Sequence, residues 1–331
     1  MDEMMVSVLT TAYNHAPYIR QTLDSILSQK TRFSYELLIH DDASTDGTAD
    51  IIRDYARRYP DRIRVVLQKE NQYKKGIDVY GFLKPLIRGK YIAQCEGDDY
   101  WCDDCKLQKQ VDYMEQHPEC VACVHQTKQI NMMTGETSVV SKRTGDGTLD
   151  FSEIIVDGNQ AFQASSLLMR RTDLFWENPP DFLLASSMIG DYPLAIFLAL
   201  QGNIFYMHET MSVYRYASRE TSWTYRMRKN REMRTQHHTE MIQMLRMVDT
   251  YSQNRYHALI EQYIKKHMYE IWRDQPDGTI LFDSQFRRYF RREPKRIQGI
   301  VLLKLLLPDS WIASIRKWKG KWEEKRAWNQ Q

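Results

Sequence analysis

No stretch of this 331-residue chain reaches the roughly 18–20 uninterrupted apolar residues that cross a bilayer. The N-terminus also lacks the basic start and apolar segment of a secretory leader, so a cytoplasmic location is expected. Between Thr10 and Ala16 there is no glycine. That argues against a Gly-rich phosphate loop near the first strand, which a nucleotidyltransferase would be expected to carry. Internal repeats and low-complexity linkers are absent too. Cysteine is limited to five residues. Cys102-x-x-Cys105 and Cys120-x-x-Cys123 superficially match a four-thiolate zinc pattern. However, Val121–Val124 reads as a strand, which would turn Cys120 and Cys123 to opposite faces. Residues 103–116 read as a helix between the two pairs. Reduced, partly buried thiols are the better reading.

Net charge is only +3, but it is unevenly placed. Residues 1–220 sum to −8 and residues 221–331 to +11, giving an acidic front and a basic rear. An apolar content of 42 % with 12 % aromatics is enough for a real core, and this length allows one large or two modest domains.

The elements follow from periodicity. Val6–Thr11, Tyr35–Ile39, Arg62–Leu67 and Tyr91–Gln94 read as strands. Pro17 starts a helical pattern with Ile19, Leu23, Ile26 and Leu27 on one face. Ser44–Thr48 is a polar turn capping a helix that runs through Arg57. A short helix is expected over 84–88. Strands alternating with helices imply an α/β fold with a mostly parallel central sheet flanked by helices. Such sheets bind ligands at their carboxyl edge, where Asn14, Asp42 and Asp98 would lie. Beyond this half, 118–170 reads as short strands and loops, with a hairpin at Ile130–Val140 around Thr134-Gly135. Gly190-Asp191 opens an apolar helix, Tyr192–Leu200, stopped by Gly202, and from Thr224 onward the chain reads as mostly helical.

The most informative stretch is Tyr91–Trp101, where an apolar run ends in Glu96, Asp98 and Asp99. Massed carboxylates at a strand end repel unless a cation or hydrogen-bond donors compensate them. Mg²⁺ or Mn²⁺ would do so, and either would also bind phosphate oxygens.

The runs Val8–Asn14, Asp41–Thr48, Glu96–Asp99 and Gly190-Asp191, in that order over about the first 215 residues, resemble the family 2 glycosyltransferases of GT-A (Rossmann-like) fold. Asp98-Asp99-Tyr100-Trp101 followed by Lys106-Leu107 is similar to the bacterial branch that builds surface polysaccharides. The resemblance implies an inverting, metal-dependent transfer from a nucleotide-sugar, with a UDP-sugar the expected donor class, to a saccharide or lipid-linked acceptor. It implies a transferase domain over 1–220, with a nucleotide-sugar half to about 105 and an acceptor half to about 220. A helical extension would follow over 221–331. It places Thr11, Tyr13, Asn14, Asp42, Glu96 and Gly97 about the nucleotide, Asp98 and Asp99 at the Mn²⁺ or Mg²⁺ ion, and Asp191 as general base. Lys74 and Lys75 are candidate diphosphate contacts, and Ser165, Trp101 and Arg215 candidate acceptor-side residues. The sequence departs from common family residues at Glu96, Gly190 and Ala217.

In the basic rear, Trp311, Ile315, Trp318 and Trp322 recur at helical spacing among lysines and arginines. Such a helix suits peripheral contact with the inner membrane surface, or packing onto the catalytic domain. Nucleic acid is not an expected partner, because Glu and Asp interrupt the positive charge throughout 230–293. A non-catalytic scaffold is the remaining alternative.

Overall fold

The computed structural model describes residues 4–172, 179–184, 191–216, 226–227, 229–274, 276–277 and 279–306. Four parallel strands form one half of the sheet: β1 (Val6–Ala12), β2 (Tyr35–Asp41), β3 (Ile63–Leu67) and β4 (Tyr91–Gln94). Their order is β3-β2-β1-β4, with Leu9 beside Leu38 and Gln94. Both faces of β1 and β2 are covered, so their near-continuous apolar runs are what a buried parallel strand requires. α1 (Ile19–Leu27), α2 (Thr48–Arg58) and α3 (Lys106–Gln116) cover one face. Each turns a stripe of helical spacing inward: Ile19, Leu23 and Ile26 from α1, Ile52 and Tyr55 from α2, and Leu107, Val111 and Met114 from α3.

The other half of the sheet combines parallel and antiparallel pairs. β9 (Leu168–Arg170) runs antiparallel to both β4 and β6 (Cys120–Asn131). β10 (Asn203–Tyr216) is parallel to β6, and β5 (Tyr100–Trp101) closes the edge antiparallel to β10. β7 (Thr137–Val139) makes the expected hairpin with β6, and Gly135 takes the positive φ of 74° that its turn needs. β8 (Gly147–Leu149) pairs with β10. Within 118–170, where short strands were expected, β6 is long at 12 residues, and β10 beyond it has 14.

Cys120 and Cys123 pack in the same apolar cluster, not on opposite faces. The register between β6 and β10 slips at Asn203–Ile204, opposite the start of β6, and breaks the simple alternation. All five cysteines are free.

The opposite face of the sheet carries α4 (Phe151–Asp157) and α5 (Tyr192–Gln201), and also α6 (Arg231–Tyr251) and α7 (His257–Asp274). Leu245 and Val248 of α6 and Ile260 and Ile264 of α7 share one core cluster with Ile154 of α4 and Ile196 of α5. The first part of the helical extension is thus built onto the core of the sheet. Beyond it, α8 (Thr279–Phe282), α9 (Ser284–Arg292) and α10 (Lys295–Leu306) follow. Trp272, Phe286 and Val301 form a separate small cluster there. No described helix is long and apolar enough to cross a membrane. Gly190, Ala217, Trp311, Ile315, Trp318 and Trp322 lie outside the described residues.

Candidate active site

At the carboxyl edge of β1, the loop into α1 is stitched to the loop into α2. The Asn14 amide donates to Ser44 Oγ at 2.8 Å, and Asn14 Oδ1 accepts from the Thr45 amide at 2.7 Å. The His15 amide donates to Thr48 Oγ1 at 2.7 Å, and the Ala16 amide to Asp46 Oδ2 at 3.0 Å. Asn14 and Ala43 take left-handed φ values of 56° and 62°, a conformation asparagine tolerates far better than alanine. Asn14 therefore shapes this loop through the backbone it holds.

Asp42 is buried, and both of its carboxylate oxygens are taken. Oδ1 accepts from the Gln72 amide at 2.7 Å and Oδ2 from the Tyr73 amide at 3.1 Å. The segment after β3 is thereby fastened over the end of β2. It brings Lys74 Nζ to 5.7 Å from the centre of the Tyr13 ring. Lys75 instead pairs with Glu70 on an exposed turn. Of the two lysines, Lys74 is the one placed beside the expected base-binding residue.

The acidic loop after β4 is fixed from below. The Gly97 amide donates to the Thr11 carbonyl at 2.9 Å. Thr22 Oγ1 lies within hydrogen-bond distance of the Gly97 and Asp99 carbonyls, at 3.1 and 2.5 Å. A Cβ on Gly97 would lie 2.8 Å from His15 Nδ1 and 3.0 Å from both Ala12 Cβ and the Thr11 carbonyl. Only glycine lets the loop approach the end of β1 this closely.

Three carboxylates within four residues have three environments. Glu96 is partly buried; burial first, then the Asp191 and Asp98 carboxylates, push it up to about 8. Asp98 keeps 18 % of its side chain exposed, with His15 Nε2 3.7 Å from Oδ2. Asp99 is fully buried and held well above the usual carboxylate range, mainly by burial and then by Asp98 and Glu96. Its Oδ1 accepts from the Arg215 amide at 3.0 Å, while Oδ2 has no partner among the described residues.

Arg215, expected on the acceptor side, lies beneath this loop. Its guanidinium donates to the Asp98 carbonyl at 2.5 Å and to Gln21, and it stacks over Tyr18 and Tyr100 at 5.0 and 4.6 Å. Trp101 and Ser165 are likewise interior. Trp101 Nε1 donates to the Ser165 carbonyl at 2.9 Å, and Ser165 Oγ to Ser212 Oγ at 3.3 Å. Lys106 Nζ sits 4.1 Å from the centre of the Trp101 ring, buried and without a hydrogen-bond partner among the described residues. Burial pushes this ammonium down to about 7. Arg215, Trp101 and Ser165, expected on the acceptor side, thus have these polar atoms bonded inside the protein, where they brace the loop.

Asp191 approaches from the other half of the sheet. It occupies the N-cap position of α5, yet its side chain makes no capping hydrogen bond. Burial pushes its carboxyl up to about 6, and its charge is the largest charge effect on Glu96. Burial first, then Glu96 and Asp191, holds the Tyr80 hydroxyl well above its ordinary range. Asp191, from the second half of the chain, thus bears electrostatically on Glu96 and Tyr80 of the first. Tyr80 was not legible as a site residue: no motif surrounds it.

Among the described residues, the grouping of three or more possible metal-ligand atoms within 4.8 Å is Asp103, Asp104 and Cys105. There, Asp103 already pairs with Lys109 and Asp104 with Lys30. The acidic loop alone offers fewer ligands. Its donor set nevertheless fits Mg²⁺ or Mn²⁺: Glu96 and Asp98 are mutually repelling oxygen donors, and such ions take their remaining ligands from phosphate and water.

The model of glycosyl transferase family 2 matches residues 7–178. The chain belongs to glycosyl transferase family 2. It is 36 % identical over 213 residues to "Uncharacterized protein Rv1520" of Mycobacterium tuberculosis, covering 63 % of this chain and 58 % of that one. The chain thus spans less than two thirds of that relative. Over 111 residues, 34 % of this chain and 41 % of the other, it is 36 % identical to the Escherichia coli UDP-Glc:alpha-D-GlcNAc-diphosphoundecaprenol beta-1,3-glucosyltransferase WfaP. The crystal structure of S. aureus TarS 1–349 in complex with UDP superposes with a TM-score of 0.54 at 16 % identity, covering 89 % of this chain and 77 % of TarS. The shared fold is GT-A.

Proposed function

We propose that this family 2 member is an inverting glycosyltransferase that moves a sugar from a UDP-sugar to a saccharide or lipid-linked acceptor in polysaccharide biosynthesis. The observation that carries the reading is the Asp191 carboxyl, which stands at a helix start without capping it and whose charge bears on Glu96 of the acidic loop. The TarS complexes with UDP and UDP-GlcNAc, and the donor and diphosphoundecaprenol acceptor in the name of WfaP, support the substrate classes.

In this reading Thr11, Tyr13 and Lys74 border the nucleotide, with Asn14 and Asp42 holding the loops that enclose it. Asp98 and Glu96 would hold Mn²⁺ or Mg²⁺, while Asp99 orients the loop from behind. A bound divalent ion supplies Lewis-acid stabilisation of the charge on the departing nucleoside diphosphate. Asp191 accepts the proton of the acceptor hydroxyl as its oxygen bonds to the anomeric carbon. The bond from that carbon to the diphosphate breaks on the opposite side, so one displacement inverts the configuration. A lipid-linked acceptor would bring the protein to the cytoplasmic membrane face as a peripheral protein. The reading divides the chain into a transferase domain over 1–220 and a basic helical region over 221–331.

The test is UDP release from UDP-sugars with Mn²⁺ or Mg²⁺ and candidate acceptors, by wild type and Asp191→Asn. Acceptor-dependent release by wild type, lost in Asp191→Asn while UDP still binds, is the expected result. Equal release by both proteins would contradict the assignment.

A further inference from the structure

The last two described helices, α9 and α10, turn their inner faces to one small cluster. Phe286 of α9 and Val301 of α10 are buried there with Tyr269 and Trp272 of α7. Ile297 and Leu305, one turn before and after Val301, pack against the same cluster. Lys304 also points inward: its Nζ donates to the Arg273 and Asp274 carbonyls at 3.2 and 3.0 Å. The outward face of α10 follows from the spacing. Lys295, Gly299, Leu302, Leu303 and Leu306 fall together on it, with Arg296 beside them, and all six are exposed. Leu302, Leu303 and Leu306 are 47, 48 and 78 % exposed. Leucines outside and a lysine inside reverse what a helix bathed in water requires.

The charge on this surface is uncompensated as well. α9 turns Arg288, Arg291 and Arg292 outward, and Lys295 and Arg296 continue the positive run across the short turn into α10. The acids of 279–306 are Asp283 and Glu293, and both are spent elsewhere. Asp283 caps α9, accepting from the Gln285 and Phe286 amides at 2.8 and 2.9 Å, and Glu293 pairs with Arg273 at 2.8 Å. On other surfaces Arg32, Arg53 and Lys90 pair with Asp112, Asp50 and Glu115. The five cations of α9 and α10 have no such ion pair among the described residues.

We propose that this face docks on an anionic lipid bilayer, with Leu302, Leu303 and Leu306 entering the acyl boundary and the arginines and Lys295 at the level of the lipid phosphates. Single exposed leucines need no explanation, but three together mark a contact surface. Neighbouring cations without acids match the negative charge of such a membrane, and their stems add apolar contact. With 12 residues, α10 is too short to cross a bilayer and lies along it. A second copy of this chain fits the face less well. A two-fold contact would bring the same arginines together with no acid between them. The inference goes beyond the transfer reaction and does not depend on Asp191 being the base.

The experiment measures cosedimentation of the full chain with vesicles of phosphatidylglycerol and phosphatidylcholine in equal parts, and with phosphatidylcholine alone. Wild type is expected to bind the first far more tightly, with an affinity that falls as salt is raised. Changing Arg291, Arg292 and Lys295 together to glutamine should weaken that binding about 100-fold, at roughly fivefold per cation. Leu302→Gln, Leu303→Gln and Leu306→Gln together should weaken it about 10-fold or more. Both variants should keep the wild-type Tm, since the changed side chains are exposed. If the leucine variant melts lower, the charge variant decides. Equal binding to both vesicle types, or binding that the charge variant leaves intact, would overturn the proposal. So would a wild-type dimer that the leucine variant dissolves, because the face would then belong to a second copy. Asp191→Asn should bind the vesicles as wild type does, so failure of the transfer reading and failure of this surface are read separately.

Discussion

The two halves of the sheet reach the same pocket by different means. On the parallel side, β1, β2 and β4 end together, and short loops rich in polar side chains stitch themselves in place: Asn14 to Ser44 and Thr45, Asp42 to Gln72 and Tyr73. On the mixed side, the structure depends on distant partners. Arg215, at the end of β10, reaches Asp99, the Asp98 carbonyl and Gln21, and Trp101 reaches Ser165. The lesson is that the loops of the parallel side are held to one another, whereas Arg215 and Trp101 of the mixed side hold the acidic loop in position. Asp191 is the exception, a mixed-side carboxyl that caps nothing.

The substitution with the largest expected effect breaks that exception. Asp191→Asn should reduce turnover by about 10²–10⁴ with UDP affinity retained, measured by steady-state kinetics and calorimetry. Gly97→Ala follows. Its added methyl would meet Ala12 and the Thr11 carbonyl at 3.0 Å, so ion-dependent UDP binding should weaken severely. Unchanged binding would mean that the loop has slack the geometry denies.

The contrast sharpens on the mixed side with Trp101→Phe. Losing the Nε1 bond to Ser165 should cost about 1 kcal/mol of stability, read as a lower denaturation midpoint, while donor and acceptor KM hold. A rise in acceptor KM with unchanged stability would return Trp101 to the substrate.

The smallest expected effect separates the pocket from the helical extension by pH. Glu96 and Asp191 are raised in the folded state, so the stability tied to their protonated forms is lost as pH rises through about 6 and about 8. In the extension, His238 Nδ1 and His267 Nδ1 lie 2.9 Å apart, and burial first, then neighbouring charge, pushes them down to about 4 and about 3. Their sign is the reverse: full stability above the ordinary histidine range near 6.5, lost as pH falls below it. Thermal melts without divalent ion should therefore decline on both sides of a maximum. In His267→Phe the acid-side decline should shrink, and added Mn²⁺ should shrink the alkaline one.

Most of the parallel side was legible in the sequence because its signals are local. Apolar strand runs, the Ser44–Thr48 turn and the Glu96–Asp99 stretch each sit within a few residues. The helix after Asp191 was legible for the same reason, and its observed limits, Tyr192–Gln201, nearly match the apolar pattern. The mixed pairing of β9 and β5 was not, since each strand has three residues or fewer and periodicity needs more. Nor was the fate of Arg215, Trp101 and Ser165. Residue type announces a polar group, but only the tertiary fold decides whether its partner is substrate or protein. Tyr80 lay beyond reach for a related reason: a tyrosine in an irregular segment has no spacing to read.

The central claim is that an ion at Asp98 and a base at Asp191 face each other across one donor pocket. A crystal structure with UDP and Mn²⁺ tests it most directly. The account predicts the ion between the Asp98 carboxylate and the diphosphate, with the Asp191 carboxyl open to the far side of the pocket. An ion at Asp103 and Asp104, or a diphosphate bound away from Glu96 and Asp98, would contradict it.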